Sequence, residues 1–99
     1  MTRDEVLTVL RANRRRLDVE FGVASLQLFG SVARDEAHAA SDVDLLVEFD
    51  RPVGYFGLFQ LQDHLTELIG TSVDLGTPAS LKERILHRVL AEAIHVNEN

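Results

Sequence analysis

Gly30-Ser31 and Asp42-Val43-Asp44 are separated by ten residues, and together they offer a phosphate-sized turn and two carboxylates on one strand. The run Leu26-Gln27-Leu28-Phe29 has the pattern of a short buried strand, which Gly30 and Ser31 turn into a helix. The first backbone N–H groups of such a helix have no intrahelical partner and attract phosphate. Gly30, lacking a Cβ, lets an anion approach the backbone, and Ser31 adds a hydroxyl donor to the same anion. The chemistry these residues suit is nucleotidyl transfer.

Side chains alternate along a strand, so Asp42 and Asp44 share a face and stand roughly 6 to 7 Å apart. Two ionised carboxylates at that separation repel by about 2 to 3 kcal/mol at an effective dielectric near 20. A divalent cation is the natural compensation, and Mg²⁺ favours a few carboxylates together with substrate phosphate oxygens and retained waters. An isolated Asp-x-Asp reads better as a solvated strand edge with two surface aspartates; the Gly-Ser turn at this spacing reverses the balance in favour of the site.

The segments Leu28-Phe29-Gly30-Ser31-Val32-Ala33-Arg34 and Ser41-Asp42-Val43-Asp44-Leu45-Leu46-Val47 closely resemble the minimal nucleotidyltransferases, the MNT branch of the DNA polymerase beta superfamily. Gly70-Thr71-Ser72-Val73-Asp74-Leu75 fits the family's next strand, which makes Asp74 the candidate third carboxylate. The resemblance covers nearly the whole chain. It implies a polymerase-beta-like α/β (α+β) fold, a small mixed sheet with helices packed on it.

It also implies a two-metal mechanism, with two Mg²⁺ ions held by Asp42, Asp44 and Asp74 and an ATP triphosphate gripped at Gly30 and Ser31. Asp74 would take the proton of the attacking hydroxyl; the plainer reading makes it a strand-end residue capping a turn. Arg34, three residues beyond Ser31, suits either phosphate or a nearby carboxylate, since a guanidinium fork matches both. Ser41, on the nucleotide side of the first Asp, fits best as a hydroxyl bonded to backbone or metal-bound water. Proteins of this family commonly pair with a helical HEPN-domain toxin and serve as its antitoxin by adenylylating a tyrosine on it. The alternatives are a binding module that neutralises its partner by contact, which the three unsubstituted carboxylates disfavour, and an ATP sensor without transfer.

The elements that must position these residues follow from periodicity. Thr2 and Glu5 have capping-box spacing, and Val6, Leu7, Val9, Leu10 and Leu17 predict one first helix ending near Gly22. A short helix through Ala33 and Glu36 follows the Gly-Ser turn. Val43 to Phe49 reads as a strand covered on both faces, and Arg51-Pro52-Val53-Gly54 breaks it. Phe56, Phe59, Leu61, Leu65, Leu68 and Ile69 mark a helix that stops at Gly70. Thr77-Pro78 predicts the cap and first turn of a last helix with Leu81, Ile85, Leu86, Val89 and Leu90 as its apolar stripe, and Ala93 to Val96 a short final strand.

With 99 residues the chain reads as a single domain, residues 1–99, with a small core. The lack of cysteine excludes a disulfide framework and cysteine-based zinc sites, and makes a reducing cytoplasm the default location. No stretch approaches the roughly 20 apolar residues of a membrane span. A formal charge of −6 argues against extended nucleic-acid contact. Arg11, Arg14, Arg15 and Arg16 read as a solvated helix face, and His38, His64, His87 and His95 lack ligand spacing and read as surface residues. The cluster Tyr55-Phe56-Gly57-Leu58-Phe59 reads as core with one side left exposed, which could dock a partner or a second copy.

Overall fold

Thr2 caps the first helix, α1 (Arg3–Ala12), by accepting from the Glu5 N–H at 3.2 Å while Glu5 Oε1 accepts from the Thr2 N–H at 3.0 Å. This is the reciprocal capping box that the Thr2/Glu5 spacing predicts. The computed structural model describes residues 2–36 and 42–97. The expected single helix is instead two, α1 and α2 (Arg14–Phe21), because Asn13 leaves helical geometry and its side-chain amide donates to Val9 O at 2.8 Å. An Asn that bonds the preceding turn offers the backbone an alternative to continuing the helix. Gly22 ends α2 in the left-handed region at φ 73°, a conformation that costs glycine little.

The chain continues through β1 (Val23–Phe29), α3 (Gly30–Ala33), β2 (Val43–Phe49), α4 (Tyr55–Ile69) and β3 (Val73–Gly76). A 3₁₀ turn (Pro78–Ser80), α5 (Glu83–Glu92) and β4 (Ile94–His95) complete the described residues. The four strands form one mixed sheet in the order β3-β2-β1-β4, with β1 antiparallel to both β2 and β4 and β2 parallel to β3. This is the small mixed α/β sheet the sequence implies.

Leu26, Leu28, Val43, Leu45, Val47, Val73 and Leu75 alternate onto one sheet face and join a core with Val6, Leu10, Leu17, Leu61, Leu65 and Ile69 from α1, α2 and α4. The opposite face carries Gln27, Leu46, Asp44 and Asp74 by the same alternation. Leu46 is buried there, outside the main core, so β2 is covered on both faces as its apolar run predicts.

Two helical stripes are less buried than expected. In α4, Leu61, Leu65 and Ile69 face the core, whereas Phe56 and Phe59 are 77 % and 57 % exposed. Tyr55 is exposed as well, and of this aromatic cluster Leu58 packs on the core. At the other end, Thr77-Pro78 starts only the 3₁₀ turn, closed by Ser80 N–H to Thr77 O at 3.0 Å, and α5 begins later at Glu83. Val89 is the buried residue of α5, while Ile85 and Leu90 remain exposed. No described helix is long and apolar enough to cross a membrane.

Candidate active site

β1 delivers the chain to Gly30 in extended conformation at Phe29, and Gly30 turns it at φ 75° into α3. The turn must be glycine for a second reason: a Cβ on Gly30 would overlap Asp44 Oδ2 and lie 3.0 Å from its carboxyl carbon. The Gly30 backbone therefore lies against an acidic side chain of the neighbouring strand. α3 is a single turn, closed by Arg34 N–H to Gly30 O at 3.1 Å and Glu36 N–H to Ser31 O at 2.9 Å. It stops short of the predicted Glu36 because Asp35 adopts φ 59°, a conformation that a helix cannot continue.

The carboxylates converge through strand register. Asp44 pairs with Phe29 on the antiparallel side and with Asp74 on the parallel side. Residues paired across adjacent strands share a face, so Asp44 and Asp74 stand side by side, with Asp42 two residues before Asp44, immediately ahead of β2. Asp44 is half-buried, and Asp42 and Asp74 are exposed. Burial pushes the Asp44 carboxyl above the ordinary carboxylate range, and the charges of Asp74 and Asp42 push it further; Arg34 acts in the opposite direction. All three sequence-predicted acids are thus felt at one point.

This donor set fits Mg²⁺. The groups are hard carboxylate oxygens on one face, with repulsion a cation would relieve. Among the described residues, no group of three His, Asp or Glu side chains is arranged to hold a metal ion by itself. Asp44, with Asp74 as its register partner, lies against the Gly30 turn, where substrate oxygens and water would have to supply the rest of a cation's shell.

Arg34 is exposed and committed to carboxylates. Its Nη1 donates to both Glu92 oxygens at 3.0 and 3.1 Å, and its Nε donates to Glu36 Oε2 at 3.0 Å; these bonds raise its pKa, with Glu36 the larger cause. Ser41, predicted at the entrance to β2, lies outside the described residues, as does His38. The other histidines stand apart from the carboxylates: the half-buried His64 ring lies 5.0 Å from that of Phe21, and His87 and His95 are exposed.

Three supporting residues carry no sequence signal. Gln62 on α4 accepts the Leu75 N–H at 3.2 Å, which fastens the β3 edge next to Asp74. Arg14, read as part of a solvated face, is half-buried and donates to Val96 O, Val23 O and Ala24 O at 3.1, 3.0 and 2.9 Å. Glu92 reaches the Gly-Ser turn through Arg34 from 58 residues away. Among the described residues, concavities of about 150, about 200 and about 340 Å³ lie elsewhere, beside Arg14 and Asn97, between Phe49, Val53 and Tyr55, and between Glu48, Phe49 and Pro78. None of the three is lined by Asp42, Asp44 or Asp74, so the chemistry and not the cavity volume locates the site.

Comparison with known proteins agrees with this geometry. The nucleotidyltransferase domain family matches residues 8–96. The protein adenylyltransferase MntA of Thermococcus cleftensis is 38 % identical over 96 residues, covering 97 % of each chain. A solved structure described as a minimal nucleotidyltransferase superposes with a TM-score of 0.75 at 38 % identity, over 89 % of this chain and 93 % of that one. The same fold recurs, at 16 % identity and a TM-score of 0.66 over 100 % of this chain and 74 % of the other, in a complex of a tri-AMPylated HEPN toxin with its MNT antitoxin from Shewanella oneidensis.

Proposed function

The chain belongs to the nucleotidyltransferase domain family, in its minimal form, and is a nucleotidyltransferase; on that premise we propose that it transfers AMP from ATP to a tyrosine hydroxyl of a HEPN-domain partner and so acts as that partner's antitoxin. The observation that carries the reading is the Asp44–Asp74 register beside Gly30, which sets a carboxylate group against a phosphate-sized turn. The acceptor class is supported by relatives that are protein adenylyltransferases and by the AMPylated HEPN toxin in the Shewanella complex.

In this mechanism the Gly30 and Ser31 amides and the Ser31 hydroxyl orient the triphosphate, and Arg34 meets its oxygens. Asp42, Asp44 and Asp74 would hold Mg²⁺, which when bound neutralises triphosphate charge and lowers the pKa of the acceptor hydroxyl. Asp74, exposed on the edge strand β3, takes the hydroxyl proton. The acceptor oxygen bonds to the α-phosphorus as the bond from that phosphorus to the bridging oxygen breaks, and pyrophosphate leaves. Catalysis is then mainly positioning and charge stabilisation. The open site suits an acceptor presented on a protein surface.

Intact-mass spectrometry of a HEPN partner, incubated with this protein, ATP and Mg²⁺, tests the reading. A gain of AMP mass that disappears with Asp42→Ala/Asp44→Ala supports it. Unmodified partner that still binds and is neutralised would replace it with neutralisation by contact alone.

A further inference from the structure

Arg34 is the cation of the Gly30-Ser31 turn, yet two of its donor groups are taken by carboxylates of two different segments. Glu36 holds Nε at 3.0 Å, and Glu92 on α5 holds Nη1 with both oxygens at 3.0 and 3.1 Å. The cluster therefore carries two negative charges against one positive, immediately after the turn that must receive a polyanion. Carboxylate and phosphate oxygens compete for the same guanidinium fork.

From this geometry we propose that Glu92 is a positioning residue that acts through Arg34, holding the guanidinium in a carboxylate clamp from which triphosphate must draw it. The inference rests on the proposed function, because it assumes that ATP binds at Gly30 and Ser31. Glu92 fits the role better than Glu36. Glu36 is two residues from Arg34 and moves with it, whereas Glu92 ends α5, a separate element 58 residues further along the chain. Occupancy of the nucleotide site and attachment of α5 to α3 are thereby linked: when phosphate takes Arg34, the Glu92 tether is released. The side chains of Arg34 and Glu92 are partly exposed, so the exchange requires no opening of the core and the tether is weak enough for a triphosphate to displace.

The test is ATP affinity in the presence of Mg²⁺, by calorimetry on the whole chain, for the wild type, Glu92→Gln, Arg34→Ala and the double variant. Glu92→Gln is expected to tighten ATP roughly two- to fivefold, the size of a partly exposed ion pair, and to lower the KM for ATP without raising kcat. In the Arg34→Ala background the same change is expected to have much less effect, and Glu92→Asp, which keeps the charge, to behave nearly as wild type. Unchanged or weakened ATP binding in Glu92→Gln, with the wild type binding normally, would overturn the clamp and leave the proposed function standing. An equal gain with and without Arg34 would also overturn it, by showing simple repulsion between Glu92 and the nucleotide. A wild type that binds no ATP would overturn both readings together.

Discussion

Asp44 and Asp74 are register partners on adjacent parallel strands, and the burial of Asp44 together with the charge of Asp74 raises the Asp44 pKa. The sign of this shift sets its effect on stability. A carboxylate whose folded pKa exceeds its unfolded value contributes stability that is fully present at pH below the ordinary carboxylate range and is lost as pH rises through the raised value. At neutral pH the free protein therefore holds an unfavourable charge. Asp44→Asn is expected to stabilise the metal-free protein at pH 7 by up to about 1 kcal/mol once solvent screening is allowed for, and to abolish transfer. Urea midpoints of the two proteins, converging as the pH is lowered, check this; a destabilised variant at pH 7 would contradict it.

Gly30 is fixed by both its backbone angle and its neighbour. Gly30→Ala places a methyl group against Asp44 Oδ2 in a left-handed conformation, and an expected loss of about 2 kcal/mol combines the two effects. The same change should weaken ATP binding, because the carboxylate must move. Gly70→Ala provides the control: its φ is 83° but no atom lies within 4 Å of the added carbon. It should cost less, about 1 kcal/mol, and leave ATP binding unaffected.

Removing Arg14 would strip a hydrogen bond from each of three carbonyls that tie α2 to β1 and to the end of the chain. Arg14→Ala is expected to cost about 2 to 3 kcal/mol in urea unfolding, with transfer per folded molecule preserved. Arg14→Lys should recover only part of this, since an ammonium lacks the planar fork. By contrast, Phe59→Ser at an exposed position should stay within about 0.5 kcal/mol of wild type.

Three carboxylates on one face leave most of a cation's coordination shell to other ligands. Calorimetry of the free protein should find Mg²⁺ binding weak, and a non-hydrolysable ATP analogue should strengthen it by supplying phosphate oxygens. Tight binding to the free protein would contradict this expectation.

The parts of the site that were legible in the sequence are those set by local geometry. Strand periodicity placed Asp42 and Asp44 on one face, the Gly30 turn followed from its neighbours, and Gly70 ended α4 where the apolar stripe stopped. Asp74 came from resemblance, because no local rule relates a residue on β3 to one on β2; the parallel register does that. What could not be read was tertiary. Asn13 divides a continuous stripe through one side-chain bond to Val9, and Thr77-Pro78 carries a helix-start signal that only a 3₁₀ turn uses. Arg14 is indistinguishable in sequence from the solvated arginines beside it, because only the fold brings the carbonyls of β1 and Val96 to it. Glu92 had no visible link to the Gly-Ser turn for the same reason.

Following the two ends of ATP separately decides whether Asp42, Asp44 and Asp74 with Gly30 and Ser31 perform nucleotidyl transfer. Incubation of the protein and a HEPN partner with Mg²⁺ and ATP labelled at either the α- or the γ-phosphate should leave α-label on the partner and γ-label in pyrophosphate. Asp74→Asn should remove the α-label from the partner. Label from the γ-phosphate on the partner, or α-label that survives the loss of Asp74 and Asp44 together, would rule out nucleotidyl transfer by these carboxylates.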